Sequence, residues 1–380
     1  MIGPAQKPDV FVVGGGPAGL AAAILASRKG FRVMLADRAS PPIDKTCGEG
    51  LLPDTVASLG TLGVTFERGE AVPLRGIRFL EASQGLAVEA TFPQCSGLGV
   101  RRTLLHAKLL QCAAEAGVSF AWGARVTGLG AGDVACNRSK IHSRWVIGAD
   151  GENSQIRKWI FPRTPRHEQI RFGRRQHFRC LPWTDFVEVY WGPSCQITIT
   201  PVGLEEICLA MTSRNPRMKL KNALLEVPEL AERVAGSSPT TPERGAAAAL
   251  RYLWSVRRGR FALVGDASGS VDPVTGEGLG LAFRQAHSLT DALCASDLRP
   301  YQASHARISR IPRLMSRLIL LMDAHPWFRK RVMRALASEP SLFLRLLNVH
   351  IQALAPSAFG AGNTLRLLGG VLASRRGNLR

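Results

Sequence analysis

Three glycines spaced G-x-G-x-x-G, Gly14, Gly16 and Gly19, stand directly after the apolar run Asp9 to Val13 and directly before an alanine-rich stretch, and nothing else constrains the chain as strongly. The run DVFVV predicts a short buried strand and Leu20 to Arg28 a helix, so the glycines fall on the tight turn between them. Gly14 permits the turn, Gly16 lets backbone approach a pyrophosphate at the positive end of the helix, and Gly19 lets helix and strand pack closely. A second strand, Phe31 to Ala36, ends at Asp37, 23 residues after Gly14, where a Rossmann-type unit uses a carboxylate to hold the adenosine ribose hydroxyls. Arg38 follows as a further candidate contact. This motif alone asks for a dinucleotide without separating NAD from FAD.

Length and composition exclude several alternatives. A chain of 380 residues has room for two or three lobes, and 46% apolar with 21% charged residues describes a globular protein. Val10 to Ser27 is uncharged for eighteen residues, but its GGGPAG core would break a spanning helix, so the chain is not expected to cross a bilayer. The eight cysteines include no C-x-x-C pair, the eight histidines no H-x-x-x-H, and G-x-S-x-G is absent, so no metal site and no serine hydrolase is expected, and reduced cytoplasmic thiols are the default. A net charge of +20 calls for an acidic partner: a phosphorylated cofactor, anionic lipid or nucleic acid.

Two later motifs separate the dinucleotides. Trp145 to Asp150 reads as a strand and continues as GADGENSQIR, with Asp150, Gly151, Ser154 and Arg157 at fixed spacing. Phe261 to Val264 leads into Gly265 and Asp266, then DPVTGEGLGLAFRQA, where Gly276 and Gly278 open a helix to about Ser296. In this order the three motifs resemble the flavoprotein family that contains aromatic hydroxylases of the p-hydroxybenzoate hydroxylase type, geranylgeranyl reductases and flavin-dependent halogenases, over about residues 8 to 300.

The resemblance implies FAD as cofactor. It implies that Asp266 meets the ribityl chain, that Gly276 and Gly278 present a helix N-terminus to the flavin, and that Arg102, in R-x-x-L-H-x-x-L, meets the cofactor phosphates. Asp150 would brace the fold or touch the nicotinamide donor, a structural capping role being equally open. The loop KTCGEGLLP resembles the C-G-x-G loop of geranylgeranyl reductases; it places Gly48 near the flavin and makes Cys47 a candidate catalytic thiol, with inert packing as the alternative. The aromatic Y-x-W-x-F-P strand of the prenyl reductases is replaced by QITITPVG, and G-W-x-W-x-I-P of tryptophan-type halogenases is missing. Alternation in Phe186 to Trp191 and Cys195 to Thr200 suits strands of a lid over the flavin, with Tyr190 and Trp191 as candidate substrate contacts.

The expected fold is α/β: a Rossmann-like FAD-binding domain of the glutathione-reductase type (1–75, 98–165 and 250–300), an inserted antiparallel β substrate domain (76–97 and 166–249) and a basic helical C-terminal region (301–380). That last region carries 13 Lys and Arg against 2 acids, beside leucines at helical spacing, which suits either an anionic membrane face or a helical cap with a solvated basic side. No second dinucleotide fingerprint exists, so NAD(P)H is expected to visit transiently. The expected activity is NAD(P)H-dependent hydroxylation of a hydrophobic aromatic or polyketide-like substrate through a flavin hydroperoxide. The alternative is hydride transfer from reduced FAD to a lipid or isoprenoid double bond. A basic nucleic-acid-binding protein is disfavoured, because no stacking aromatics interleave with the arginines. The expected location is the cytoplasm or the inner face of the membrane, and nothing in the sequence sets the oligomeric state.

Overall fold

A computed structural model describes residues 7–373 apart from 82, 84, 94–96, 131 and 164–168. Cys95 and the basic residues Arg375, Arg376 and Arg380 therefore lie outside the described residues. The run predicted as the first strand forms Val10–Val13, all four residues buried, at the middle of a six-stranded sheet. It pairs in parallel with Val33–Asp37 on one side and Trp145–Gly148 on the other. A strand covered on both faces has no solvent side, which is why VFVV is apolar throughout instead of alternating. Ser119–Trp122 and Phe261–Leu263 extend the sheet in parallel, and Arg257–Arg258 closes one edge antiparallel. The helix Pro17–Arg28 starts one residue after Gly16 with proline in its first turn and packs against the helices Arg102–Glu115 and Gly278–Cys294.

A second sheet has eight strands. Gln169–Arg179, Glu206–Ser213, Cys195–Gly203 and Phe186–Trp191 lie side by side and antiparallel, flanked by Ser238–Pro239 and Arg244–Leu250 on the first of them. At the other end the earlier hairpin Gly76–Glu81 and Leu86–Thr91 joins, and here Gly76–Glu81 runs parallel to Phe186–Trp191, the one exception to the expected antiparallel order. The two faces are sealed by different helices. One face, with Ile197, Ile199 and Leu209, packs on the short helices Leu220–Leu225 and Pro228–Val234. The other, with Val189 and Trp191, packs on Arg310–Ala324, Pro326–Ser338 and Pro340–His350.

That packing takes one basic residue of the C-terminal region out of any solvated or membrane-facing side. Arg329 is 2% exposed, pairs through Nε with Glu81 Oε2 at 2.5 Å and lies over the Trp191 ring. Met333 and Leu336, four and seven residues on, are buried on the same side of the helix, so helical period turns Arg329 inward with them.

Candidate active site

One cavity of about 1430 Å³ lies between the glycine turns of the parallel sheet, one face of the eight-stranded sheet and the C-terminal helices. It exceeds the roughly 300–1,000 Å³ of a single small-molecule site, so it has room for a dinucleotide and a second molecule. Of the residues singled out from sequence, Gly14, Gly16, Asp37, Arg38, Cys47, Gly48, Arg102, Asp150, Gly151, Gly265, Asp266, Gly276 and Gly278 all line it. Gly19 stands behind: a Cβ there would lie 1.9 Å from the Gly14 carbonyl oxygen, so the helix reaches the strand only because this side chain is absent.

The polar end is shaped for a bulky anion. Space is open where a side chain would begin at Gly16, Gly151 and Gly278, so a ligand can lie directly on the backbone there. Asp37 is fixed by the N–H groups of Gly15, which donates to Oδ2 at 2.6 Å, and Ala39, which donates to Oδ1 at 2.8 Å. Arg102 is 5% exposed; its backbone N–H donates to Glu49 Oε1, while Nη1 has no partner. A buried guanidinium N–H without an acceptor is costly, and a phosphate oxygen would satisfy it. Burial lowers the Arg102 pKa, a cost that a bound anion would offset. The residues present thus fit a flavin dinucleotide.

Asp266 faces the cavity paired to Lys45, Nζ to Oδ2 at 2.6 Å, and the Lys45 charge holds its carboxyl below the usual range. Asp150, by contrast, is engaged by its own chain: it accepts from the Ser154 hydroxyl at 2.5 Å and from the Gln155 and Ile156 N–H groups at 2.6 and 3.2 Å, bracing the helix Gln155–Ile160. Arg157, buried in the same motif, donates to the carbonyls of Asp266 and Ala267 and so ties the turn after Trp145–Gly148 to the turn after Phe261–Leu263. Cys47 accepts a long contact from the Glu49 N–H at 3.4 Å, and burial pushes its thiol up, so it is a thiol and not a thiolate at neutral pH.

The other end is apolar: Ile77, Phe79, Val187 and Val189 from the sheet face Phe343 and Leu347 from the helices. Here the expectation for Tyr190 and Trp191 is corrected. Neither lines the cavity. Tyr190 is on the opposite sheet face and donates its hydroxyl to Glu188 Oε2 at 2.8 Å; Trp191 is fully buried between Phe79 and Arg329. Val187 and Val189, on the strand face that also carries Trp191, line the cavity instead, because strand side chains alternate.

Several site residues carried no weight in the sequence reading. Lys45 and Glu152 sit inside motifs that were read for their glycines. Burial pushes Glu152 up to about 7, against its contact with Arg251 at 2.9 Å. Glu277 and His350, 73 positions apart in the sequence, meet behind the Gly276–Gly278 turn. A buried trio of Glu49, His177 and Cys208 has donor atoms close enough for a metal ion. Its carboxylate is already taken by Arg175 Nη1 and His177 Nε2, each at 2.7 Å, and the guanidinium charge opposes a cation there.

Comparison with known proteins bears on this geometry. Residues 7–177 match the FAD binding domain family. The chain is an FAD-dependent oxidoreductase. The resemblance carried by the three motifs therefore holds. A menaquinone reductase of Mycobacterium tuberculosis is 28% identical to this oxidoreductase over 322 residues, 77% of this chain and 78% of its own. A 3-amino-4-hydroxybenzoate 2-monooxygenase of Streptomyces platensis is 25% identical over 325 residues, 78% and 82%. Among solved structures, a flavoprotein/dehydrogenase from Cytophaga hutchinsonii superposes with a TM-score of 0.79 at 16% identity, covering 98% of this chain and all of its own. A geranylgeranyl bacteriochlorophyll reductase-like protein from Thermoplasma acidophilum gives 0.71 at 19% identity, with 96% of each chain covered. At such identities the structural matches speak for the fold of the oxidoreductase alone.

Proposed function

We propose that this oxidoreductase hydroxylates a hydrophobic aromatic or polyketide-like ring that carries an apolar tail, with NAD(P)H as a transient electron donor. The shape of the cavity carries the reading. Where prenyl reductases place aromatic side chains, this sheet presents Thr198, Thr200, Ala210 and Thr212 to the cavity, small residues that leave width for a ring. Beyond them the cavity continues between Phe79 and Val189 of the sheet and Phe343 and Leu347 of the helices, an arm suited to a tail.

In this reading the segments 1–75, 98–165 and 250–300 hold FAD, the sheet 76–97 and 166–249 receives the ring, and the helices after 300 cover the tail. Gly14, Gly16, Asp37, Arg38, Arg102, Gly151, Gly265, Asp266, Gly276 and Gly278 would hold the cofactor, which when bound supplies the two-electron and oxygen-activating chemistry. Asp37 would accept from ribose hydroxyls, Arg102 would donate to phosphate, and Asp266, kept anionic by Lys45, would accept from the ribityl chain. Asp266→Ala is expected to weaken FAD binding roughly tenfold or more, the equivalent of a charge-assisted hydrogen bond of about 1.5–3 kcal/mol, as read by fluorescence titration of the apoprotein. Cys47 in this reading packs the loop and takes no nucleophilic part.

Turnover of alkylated phenols with NAD(P)H under isotopically labelled dioxygen tests the reaction. One labelled oxygen atom in the product is the expected result. Turnover without oxygen, with a product heavier by two hydrogens, would overturn it in favour of double-bond reduction. That second reading is favoured by the likeness to the menaquinone reductase over most of both chains.

The tail arm also supports a membrane-surface role. No helix among the described residues is long and apolar enough to cross a membrane. Among the described residues, seven of the twelve exposed large apolar side chains fall on the C-terminal helices, and one of them, Leu368, at 53% exposure, also lines the cavity. Leu365 and Leu372 flank it on the helix Gly360–Ala373, so the mouth of the arm is rimmed by greasy side chains on a chain of charge +20. Such a rim collects a lipid-like substrate from an anionic bilayer. Sedimentation with anionic vesicles should carry the protein down at low salt and release it at high salt. Changing Leu365 and Leu372 to Asp should leave it in the supernatant with its flavin spectrum intact. Wild-type protein that ignores such vesicles at low salt would overturn the role.

A further inference from the structure

The turn Pro273–Thr275 and the glycines after it line the cavity, yet Glu277, between Gly276 and Gly278, points away from it into the protein. Its side chain is 1% exposed and neither carboxyl oxygen has a hydrogen-bond partner. His350 Nδ1 lies 3.5 Å from Glu277 Oε2. His350 comes from the C-terminal helix Pro340–His350 and does line the cavity. Its Nε2 lies 2.9 Å from the carbonyl oxygen of Thr275. A carbonyl only accepts, so Nε2 carries a hydrogen and the Nδ1 of the neutral ring is a bare acceptor facing the carboxyl group.

The neighbours keep this arrangement at one mobile proton. The charged groups acting on the pair are Asp54, on the helix Pro53–Thr61, and Arg284, seven residues after Glu277 on the helix that Glu277 precedes. Arg284 Nη1 is bonded to Asp54, so its charge is largely spent there. Burial drives the Glu277 carboxyl up to about 8, with Asp54 adding to the shift and Arg284 opposing it. Burial lowers the His350 pKa, against the Thr275 carbonyl and Asp54. Both effects favour a carboxylic acid beside a neutral imidazole at pH 7.

We propose that Glu277 and His350 are a proton-delivery pair for the redox reaction in this cavity, His350 handing a proton to the cavity and Glu277 positioning and recharging it. The inference rests on the reading of the cavity as the place of reaction; both hydroxylation and double-bond reduction consume protons there. In the step, the Nε2–H proton passes to an acceptor in the cavity that displaces the Thr275 carbonyl. The Glu277 proton moves to Nδ1, leaving Glu277 a carboxylate; when a proton from the cavity is taken up at Nε2, the Nδ1 proton returns to Glu277 and both starting forms are restored. No electrons leave the pair. The 3.5 Å separation is long for a hydrogen bond, as proton-transfer contacts commonly are before the reacting complex draws them together.

Two measurements on the FAD-loaded protein test this. By infrared difference spectroscopy, the wild type minus Glu277→Gln should show a protonated-carboxyl band at pH 7 that is lost as pH rises through about 8. His350→Gln should shift that band, because the group it bonds to has changed. In turnover, Glu277→Gln and His350→Gln should each lower kcat by about 10²-fold with KM nearly unchanged, and Glu277→Gln should remove the fall in rate above about pH 8. A band unaltered by Glu277→Gln, or a descending limb that survives in it, would overturn the pair. Should neither hydroxylation nor reduction be found, the band and its response to His350→Gln still decide whether the two residues share a proton, so the failure of the reaction reading and of the pair remain separable.

Discussion

Arg329→Ala is expected to lower folding stability by about 3–5 kcal/mol, because it leaves the Glu81 carboxylate buried with the Ser83 hydroxyl but no cation beside it. The two side chains are 3% and 1% exposed, and Nε and Nη2 of the arginine donate to the two carboxylate oxygens at 2.5 and 3.2 Å. Glu81 ends the strand Gly76–Glu81, and Arg329 lies in the helix Pro326–Ser338, so the pair joins the second strand from one edge of the large sheet to the helix that covers it. Urea unfolding followed by tryptophan fluorescence should show the loss. Glu81→Leu combined with Arg329→Met should recover much of it, since a buried ion pair contributes less than the cost of breaking one half of it. A single Arg329→Ala variant as stable as the wild type would mean that the pair is solvated.

Gly19→Ala is expected to abolish retention of FAD. The added methyl would sit 1.9 Å from the Gly14 oxygen and 3.2 Å from the Ala149 Cβ, each the residue just past a strand that the helix rests against. Backbone cannot yield as a side-chain tip does, so the helix Pro17–Arg28 must back away from Val10–Val13 and carry its N-terminus out of line with the turn. Overpacking of this kind costs about 1–3 kcal/mol or more in stability. The cofactor suffers in addition, because the helix end and the turn must act on the same phosphates. The flavin-to-protein absorbance ratio after desalting should fall at least tenfold below wild type. Gly16→Ala, where the space is open, should leave the fold intact and displace only the ligand, which makes it the control.

What could be read from the sequence was what short segments impose on themselves. The strand, turn and helix around Gly14 to Gly19 follow from local backbone geometry, and Asp37 follows from the length of one strand-helix-strand unit. Errors arose where a face had to be chosen. Tyr190 and Trp191 are neighbours on a strand, so the two side chains leave opposite faces of the sheet, and no register could have brought both to one ligand. Arg329 looked like its basic neighbours because composition was weighed ahead of helical phase; the spacing to Met333 and Leu336 already put it inside. Glu277 and His350 were beyond reach for a different reason. Their meeting depends on how the last helices dock on the Gly278–Cys294 helix, and no local pattern encodes that.

The apolar arm has a further consequence for how such a catalyst can diversify. Its covering wall, from Met315 to Val371, is contributed by residues that follow every glycine turn of the polar end, and it meets that end through His350 with Thr275 and Glu277 and through Ser316 with Asp272. Apart from His350, the covering wall and the glycine turns therefore come from separate stretches of one polypeptide. A graft that exchanges the segment after Ser309 for a longer or wider helical hairpin, keeping Ser316, Arg329 and His350 in place, would change which tails are admitted without disturbing the machinery that handles electrons.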